Sequence, residues 1–99
     1  MNYRIAPEAQ QDIADIWHFI AQDGVVTADQ VIDVIKSQFH QIAQQPELGR
    51  AREDLVPGLR SVVVRRYRRY LVFYKQCPDE VKIVPVLDGS RDLKQVFKR

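Results

Sequence analysis

The 99 residues suffice for a single domain, residues 1–99, and 45% apolar with 28% charged residues is typical of a globular protein, not a disordered one. No apolar run approaches the roughly 20 residues of a membrane-spanning helix, and the N-terminus lacks the apolar core of a signal peptide. The one cysteine, Cys77, cannot form an internal disulfide, so the composition favours a reducing cytoplasm.

The net charge of +2 conceals a strong asymmetry between the two halves of the chain. Residues 1–49 carry a net charge of −5 from two basic and seven acidic residues. Residues 50–99 carry +7 from thirteen basic and six acidic residues. A basic half indicates a nucleic acid or an acidic protein surface as partner, and the alternative is a solvated surface that balances the acidic half.

The first half of the chain has the pattern of a strand followed by a helix. Asn2 to Ala6 is predicted to form a short strand. Pro7 suits the first turn of a helix, where its missing N–H leaves no hydrogen bond unmade. Apolar side chains then recur at helical spacing at Ile13, Ile16, Trp17 and Ile20. Asp23-Gly24 is predicted to end this helix.

A second helix is predicted to begin at Thr27, because Thr27 and Gln30 have the spacing of a capping box. Its apolar face consists of Ile32, Ile35, Phe39 and Ile42. Pro46 is predicted to stop it. The short loop between the two helices predicts an antiparallel hairpin.

The second half of the chain changes to strand signals. A connector with two prolines and two glycines runs from Pro46 to Gly58. β-Branched and aromatic residues then predict strands at 59–65, 69–75 and 81–87, a turn at 77–80, and a short terminal helix over 92–98. We therefore predict an α+β fold of order β-α-α-β-β-β, with the helical hairpin packed on one face of a small, mainly antiparallel sheet.

The predicted strands are apolar on both faces, most clearly in Tyr70–Tyr74. The helical hairpin covers only one face, and an uncovered apolar face is typical of a binding surface. The alternative is a curled sheet that closes on itself or under the connector.

Basic residues concentrate around the predicted turn between the first two strands of the meander. They are Arg60, Arg65, Arg66, Arg68 and Arg69, with Tyr67 and Tyr70 interleaved. Guanidinium groups bind phosphates and carboxylates through paired hydrogen bonds. Strand alternation would divide these arginines between the two faces of the sheet. The alternative to a binding role is that they are solvated residues at strand ends, where their charges protect the sheet edges. His18 and His40 lie on different helices without ligand spacing, so we predict no metal site and no cofactor.

Four segments, in their order and spacing, carry a resemblance to a known family. They are Pro46–Arg50, Leu55–Ser61, Tyr70–Tyr74 and Val81–Leu93. The ordered set resembles the ParE/RelE family of bacterial toxins and covers nearly the whole chain. The resemblance implies the toxin of a type II toxin–antitoxin pair.

The RelE branch of that family cleaves messenger RNA on the ribosome, with two lysines, two arginines and a tyrosine in catalytic roles. In an ungapped alignment only the arginine of the C-terminal turn is kept, as Arg91. The other positions fall on Ser61, Val63, Tyr70 and Phe97. A one-residue shift places Arg60 or Arg69 near two of them. The resemblance therefore implies the ParE branch, whose members inhibit DNA gyrase by protein–protein contact, and we expect no enzymatic activity.

The implied partners are a cognate ParD-like antitoxin, in a toxin–antitoxin hetero-oligomer, and DNA gyrase with or without DNA. The implied role is plasmid or chromosome stabilisation in the cytoplasm. A ribosome-dependent mRNA endonuclease and a non-toxic orphan or adaptor are the alternatives. The candidate target contacts are Arg60, Arg65, Arg66, Arg69, Arg91 and Phe97. The candidate antitoxin contacts are Trp17, Tyr70, Val72, Tyr74 and Val84. For Arg91, an ion pair with Asp88 or Asp92 that holds the turn is the structural alternative.

Overall fold

A computed structural model describes residues 1–98 and contains two long helices, a five-stranded sheet and a short terminal helix. The elements are β1 (Asn2–Ile5), α1 (Pro7–Ala21), α2 (Val25–Gln44), β2 (Arg50–Ala51), β3 (Leu59–Val63), β4 (Tyr70–Gln76), β5 (Glu80–Asp88) and α3 (Leu93–Val96). The strand order is β1-β5-β4-β3-β2, with β1 parallel to β5 and the other pairs antiparallel. The predicted α+β fold is confirmed. Within residues 1–98, no helix has both the length and the apolar content needed to cross a bilayer.

The helical hairpin forms as predicted except at the start of α2. The amide of Ala28 already donates to the carbonyl of Gly24 at 3.1 Å, so the first turn begins at Gly24. No side chain caps this end of the helix. The predicted capping box at Thr27 is therefore wrong, because Thr27 lies inside the first turn and not before it.

The main core lies between the helices and one face of the sheet. The predicted apolar face of α2 is buried there, and Ile35, Phe39 and Ile42 are fully inaccessible. On β4, alternate residues divide between the two faces of the sheet. Tyr70, Val72 and Tyr74 point to the helices, whereas Leu71 and Phe73 belong to a second cluster on the opposite face.

A β-bulge in β5 changes which side chains face the helices. Tyr74 pairs with Ile83 but Val72 pairs with Val86, so β5 has one extra residue at this point. Pro85 lies in the bulge, a position at which a strand tolerates a residue without an N–H. The Val86 amide donates at 3.0 Å to the Asp12 carboxylate of α1, since β1 ends opposite Ile83 and offers no partner there.

The second face of the sheet is covered in part by the connector and α3. Leu59, Phe73 and Leu87 are buried on this face. The residues that pack on them from outside the sheet are Leu55, Val56, Leu93, Val96 and Phe97. The apolar face expected to be open is therefore reduced to a cleft.

Candidate functional site

The arginine loop, residues 65–69, joins β3 to β4 and is not part of either strand. Arg66 has a φ of 70°, in the left-handed region that interrupts an extended strand. The Val64 amide donates to the Tyr70 carbonyl at 3.0 Å, and the Tyr70 amide donates to the Tyr67 carbonyl at 3.0 Å. The loop therefore places its arginines together at one end of the sheet, in place of the division between two faces that strand alternation predicted.

Gln38 of α2 fixes the start of this loop. Its side chain is only 2% exposed, its Nε2 donates to the Val63 carbonyl at 3.1 Å, and its Oε1 accepts from the Arg65 amide at 2.6 Å. A buried amide that is satisfied at both ends stabilises one loop conformation. The sequence analysis missed Gln38, although its position within the apolar stripe of α2, three residues after Ile35, was a signal that it is buried.

The arginines of the loop differ in their partners. Arg69 forms an ion pair of 2.6 Å with Asp88. The Ser90 amide and the Arg69 guanidinium together lower the pKa of Asp88 to about 2. The side chains of Arg65, Arg66 and Arg68 are exposed, and no carboxylate of residues 1–98 lies within 4.0 Å of them.

Arg91 does not form either of the ion pairs considered for it. Asp88 is bound to Arg69 and to the Ser90 amide, and Asp92 caps α3 by accepting from the Gln95 amide at 3.3 Å. Arg91 is exposed, and in the described part of the chain it has no carboxylate within ion-pair distance. Its turn is closed by the backbone, through its amide and the Asp88 carbonyl at 3.1 Å. The guanidinium is therefore free to contact another molecule.

Arg91 borders a cleft of about 550 Å³ that is lined by residues of β5 and is here called the β5 cleft. Its apolar walls are Val56, Leu59, Val84, Pro85, Leu87, Val96 and Phe97. Asp12 lies at its margin, where burial raises the pKa of the carboxyl against the opposing effects of the Val86 hydrogen bond and the Arg91 charge. The cleft combines apolar walls with charged groups of both signs, which is a composition suited to an amphipathic peptide segment.

The connector is held by a buried tyrosine and by Arg60. Tyr74 is fully buried, and its hydroxyl accepts from the Gly49 amide at 2.7 Å and donates to the Pro46 carbonyl at 2.8 Å. A Cβ at Gly49 would lie 2.6 Å from the Tyr74 hydroxyl, so only glycine fits there. Arg60 donates to the Gly49 carbonyl at 2.6 Å. Arg60 therefore stabilises the connector, which leaves it a weaker candidate for target contact than the arginine loop.

Comparison with known proteins identifies the family. Residues 3–93 match the family model described as "ParE toxin of type II toxin-antitoxin system, parDE". The chain belongs to the ParE toxin family. A curated relative, Toxin ParE3 from Caulobacter vibrioides, is 38% identical over 71 residues, which cover 72% of this chain and 68% of the relative. The ParE family predicted from the ordered segments is thus confirmed.

A solved structure has the same fold as this ParE-family chain. It is described as the chromosomal ParDE TA system from P. aeruginosa, and it aligns with a TM-score of 0.76 over 89% of this chain and 95% of the other. At 21% identity this likeness concerns the fold alone.

Most of the antitoxin contacts predicted for this ParE-family chain are not on its surface. Tyr70, Val72 and Tyr74 are at most 6% exposed, because the helical hairpin covers the side of β4 from which they project. Trp17 is half-buried and joins the two helices through a 2.8 Å hydrogen bond from its Nε1 to Asp29. Of these candidates only Val84 lines the β5 cleft.

The predicted target contacts that follow lie in two places. Arg65, Arg66 and Arg69 share the arginine loop, and Arg91 lies at the same end of the sheet, where it borders a groove with Arg69. Phe97 packs on Phe73, with ring centroids 4.9 Å apart, and forms part of the β5 cleft. Among residues 1–98 no group of three His, Cys, Asp or Glu side chains is arranged to hold a metal ion.

Proposed function

We propose that this ParE-family toxin inhibits DNA gyrase by protein–protein contact and is neutralised in the cytoplasm by a ParD-like antitoxin. The observation that carries the proposal is a composite surface at one end of the molecule. There the tip of the helical hairpin exposes Phe19 and Val26, which are 59% and 70% accessible, and Phe19 shares a groove with Arg66 and Arg68. Exposed aromatic side chains beside arginines are the composition enriched in protein interfaces.

The positions of the RelE-type catalytic groups support contact with a protein target over RNA cleavage. Ser61 is buried, and its hydroxyl lies 3.4 Å from Arg52. Burial raises the pKa of Tyr70, whose hydroxyl is therefore a weak proton donor. Phe97 has no hydroxyl. General acid–base cleavage needs an accessible donor and acceptor at the scissile bond, and these three positions supply neither, while the retained Arg91 supplies a cation but no proton acceptor.

The β5 cleft is the site that we propose for the antitoxin. Beyond Ile83, β5 has no neighbouring strand on the β1 side, and the adjacent cleft has apolar walls with charged groups of both signs on its margin, Lys75 and Arg91 against Glu8 and Asp12. An amphipathic segment would fill the cleft with its apolar side chains and place its charged side chains against the margin. A specific complex of this kind buries about 1,600 Å² or more.

The gyrase contact is tested with purified protein in DNA supercoiling and DNA cleavage assays. The wild type should inhibit supercoiling and accumulate linear DNA. Phe19→Ser removes the exposed aromatic group at the hairpin tip and should abolish both effects. Leu48→Ser is the matched control, since Leu48 is a large apolar residue of similar exposure, 48%, in the connector. Ribosome-phased mRNA cleavage that precedes any DNA damage response in induced cells would contradict the proposal and favour the endonuclease.

The antitoxin site is tested by co-expression with the protein of the adjacent reading frame and purification through one tag. Val84→Asp places a charge in the apolar wall of the cleft and should prevent co-purification. Val26→Asp makes the same change at the hairpin tip and should retain it. Thermal melts of the free variants establish that both fold. A wild-type protein that recovers no partner at micromolar concentration would refute neutralisation by this partner.

A further inference from the structure

The arginine loop is a cationic surface that the chain itself leaves uncompensated. Arg65, Arg66 and Arg68 are exposed and lie beyond 4.0 Å of every carboxylate in residues 1–98. Arg69 is the member of the loop with an internal partner, Asp88. We propose that this loop binds the phosphate backbone of duplex DNA.

The loop is ordered before any ligand arrives. Gln38 holds both its first residue and the last residue of β3, through hydrogen bonds of 2.6 and 3.1 Å. Tyr67, at the centre of the loop, packs against the main core and anchors it from inside. A loop fixed in this way loses little conformational entropy on binding, so weak individual contacts add up to measurable affinity.

The charge and the donor geometry of the loop are complementary to phosphate. Its own aromatic residue, Tyr67, packs inward, and the exposed aromatic side chain in the groove with Arg66 and Arg68 is Phe19 of the hairpin tip. Protein interfaces depend on buried apolar or aromatic anchors, which in this molecule lie on the hairpin tip. Arginine forks match phosphate oxygens in pairs and need no anchor. Contacts of this kind position a protein on DNA without reading its sequence.

Duplex DNA is favoured over a single strand for a related reason. Proteins that bind single strands stack the bases on exposed aromatic side chains. Tyr67 is half-buried and Tyr70 is buried, so the exposed aromatic side chain beside the loop is Phe19 of α1, a single ring where a strand of successive bases would need a series. The inference rests on the proposed function for its setting, a toxin that holds gyrase on cleaved DNA. The contact itself needs no gyrase and is measured without it.

The test is fluorescence anisotropy of a labelled short DNA duplex with the purified toxin, in a salt titration. Three phosphate contacts give a slope of log K against log salt of about −2.7, so affinity should fall roughly 40-fold between about 50 and 200 mM salt. The triple variant Arg65→Gln, Arg66→Gln, Arg68→Gln should bind at least about tenfold more weakly at low salt and lose most of that slope. The single variants Arg66→Gln and Arg68→Gln should each reduce the slope by about 0.9, which keeps the test valid if the triple variant folds poorly.

The matched control is a second triple variant, Lys36→Gln, Lys82→Gln, Lys94→Gln, which removes three positive charges outside the loop. It should bind DNA nearly as the wild type does. Equal weakening of both triple variants, no binding by the wild type at low salt, or a tenfold preference for the single strand would each overturn the inference. Loss of gyrase inhibition in the loop variant with unchanged DNA affinity would also overturn it and assign the loop to the protein target. A wild type that binds DNA as expected but does not inhibit gyrase would refute the proposed function and leave this inference standing.

Discussion

Replacement of Tyr74 by phenylalanine tests whether the connector is held by a single buried hydroxyl. The side chain is fully buried, and its hydroxyl makes hydrogen bonds of 2.7 Å with the Gly49 amide and 2.8 Å with the Pro46 carbonyl. Tyr74→Phe removes the hydrogen-bond partner of both the Gly49 amide and the Pro46 carbonyl, and each buried group left unsatisfied costs about 1–3 kcal/mol. We expect the free energy of unfolding to fall by about 3 kcal/mol, since the connector can move and recover part of the loss.

The measurement is thermal and urea unfolding followed by circular dichroism. For a domain of this size, a loss of about 3 kcal/mol lowers Tm by roughly 12–24 °C. Tyr3→Phe is the control, because the Tyr3 hydroxyl makes one exposed hydrogen bond of 3.3 Å with His40 and should contribute less than about 1 kcal/mol. If Tyr74→Phe is no more destabilising than Tyr3→Phe, the hydroxyl does not hold the connector and the reasoning is refuted.

Three further predictions concern the arginine loop and Arg91. Gln38→Leu should lower stability by about 2 kcal/mol and speed hydrogen exchange of the Arg65 amide, and unchanged exchange would show that Gln38 does not fix the loop. Arg91→Ala should leave Tm near the wild-type value, because Arg91 has no internal ion pair, but should lose toxicity in cells at equal expression; full toxicity would assign target contact to the arginine loop. The pKa of Asp88 is lowered from 3.8 to about 2, so its stabilising effect is complete above pH 3.8 and is lost as the pH falls through about 2. Asp88→Asn should flatten the fall of Tm over that range, and an unchanged pH profile would show that the Ser90 hydrogen bond and the Arg69 ion pair of this carboxylate do not stabilise the fold.

Apolar periodicity in the sequence was enough to predict the order of the elements and their packing, because it depends on local spacing. It did not predict the two-residue strand β2, Arg50–Ala51, which exists only through pairing with Arg60 and Ser61. It did not predict the bulge at Pro85 either, since the bulge is defined by the registers of β4 and β5 together. Both features depend on residues that are distant in the chain.

The candidate sites show the same division between local and distant information. The sequence shows that Tyr70–Tyr74 is apolar on both faces, but it cannot say which face the helices cover, and Tyr70, Val72 and Tyr74 lie on the covered one. The acids next to Arg91 predicted a local ion pair, yet the partner of Asp88 is Arg69, nineteen residues away in sequence. The concentration of arginines at 65–69 was visible in the sequence, but strand alternation predicted that they divide between two faces, and the loop that groups them was not predicted.

The parallel pairing of β1 with β5 has a consequence for the synthesis of the toxin. Residues 2–5 are made first, but their strand partner is residues 80–83, in the strand that also joins β1 to the rest of the sheet. A growing chain therefore cannot pair its first strand until the last one has left the ribosome, and such distant pairings form slowly. Any chain interrupted before β5 lacks the strand that joins β1 to the rest of the sheet and one wall of the β5 cleft, so the cleft exists only in a chain synthesised through β5.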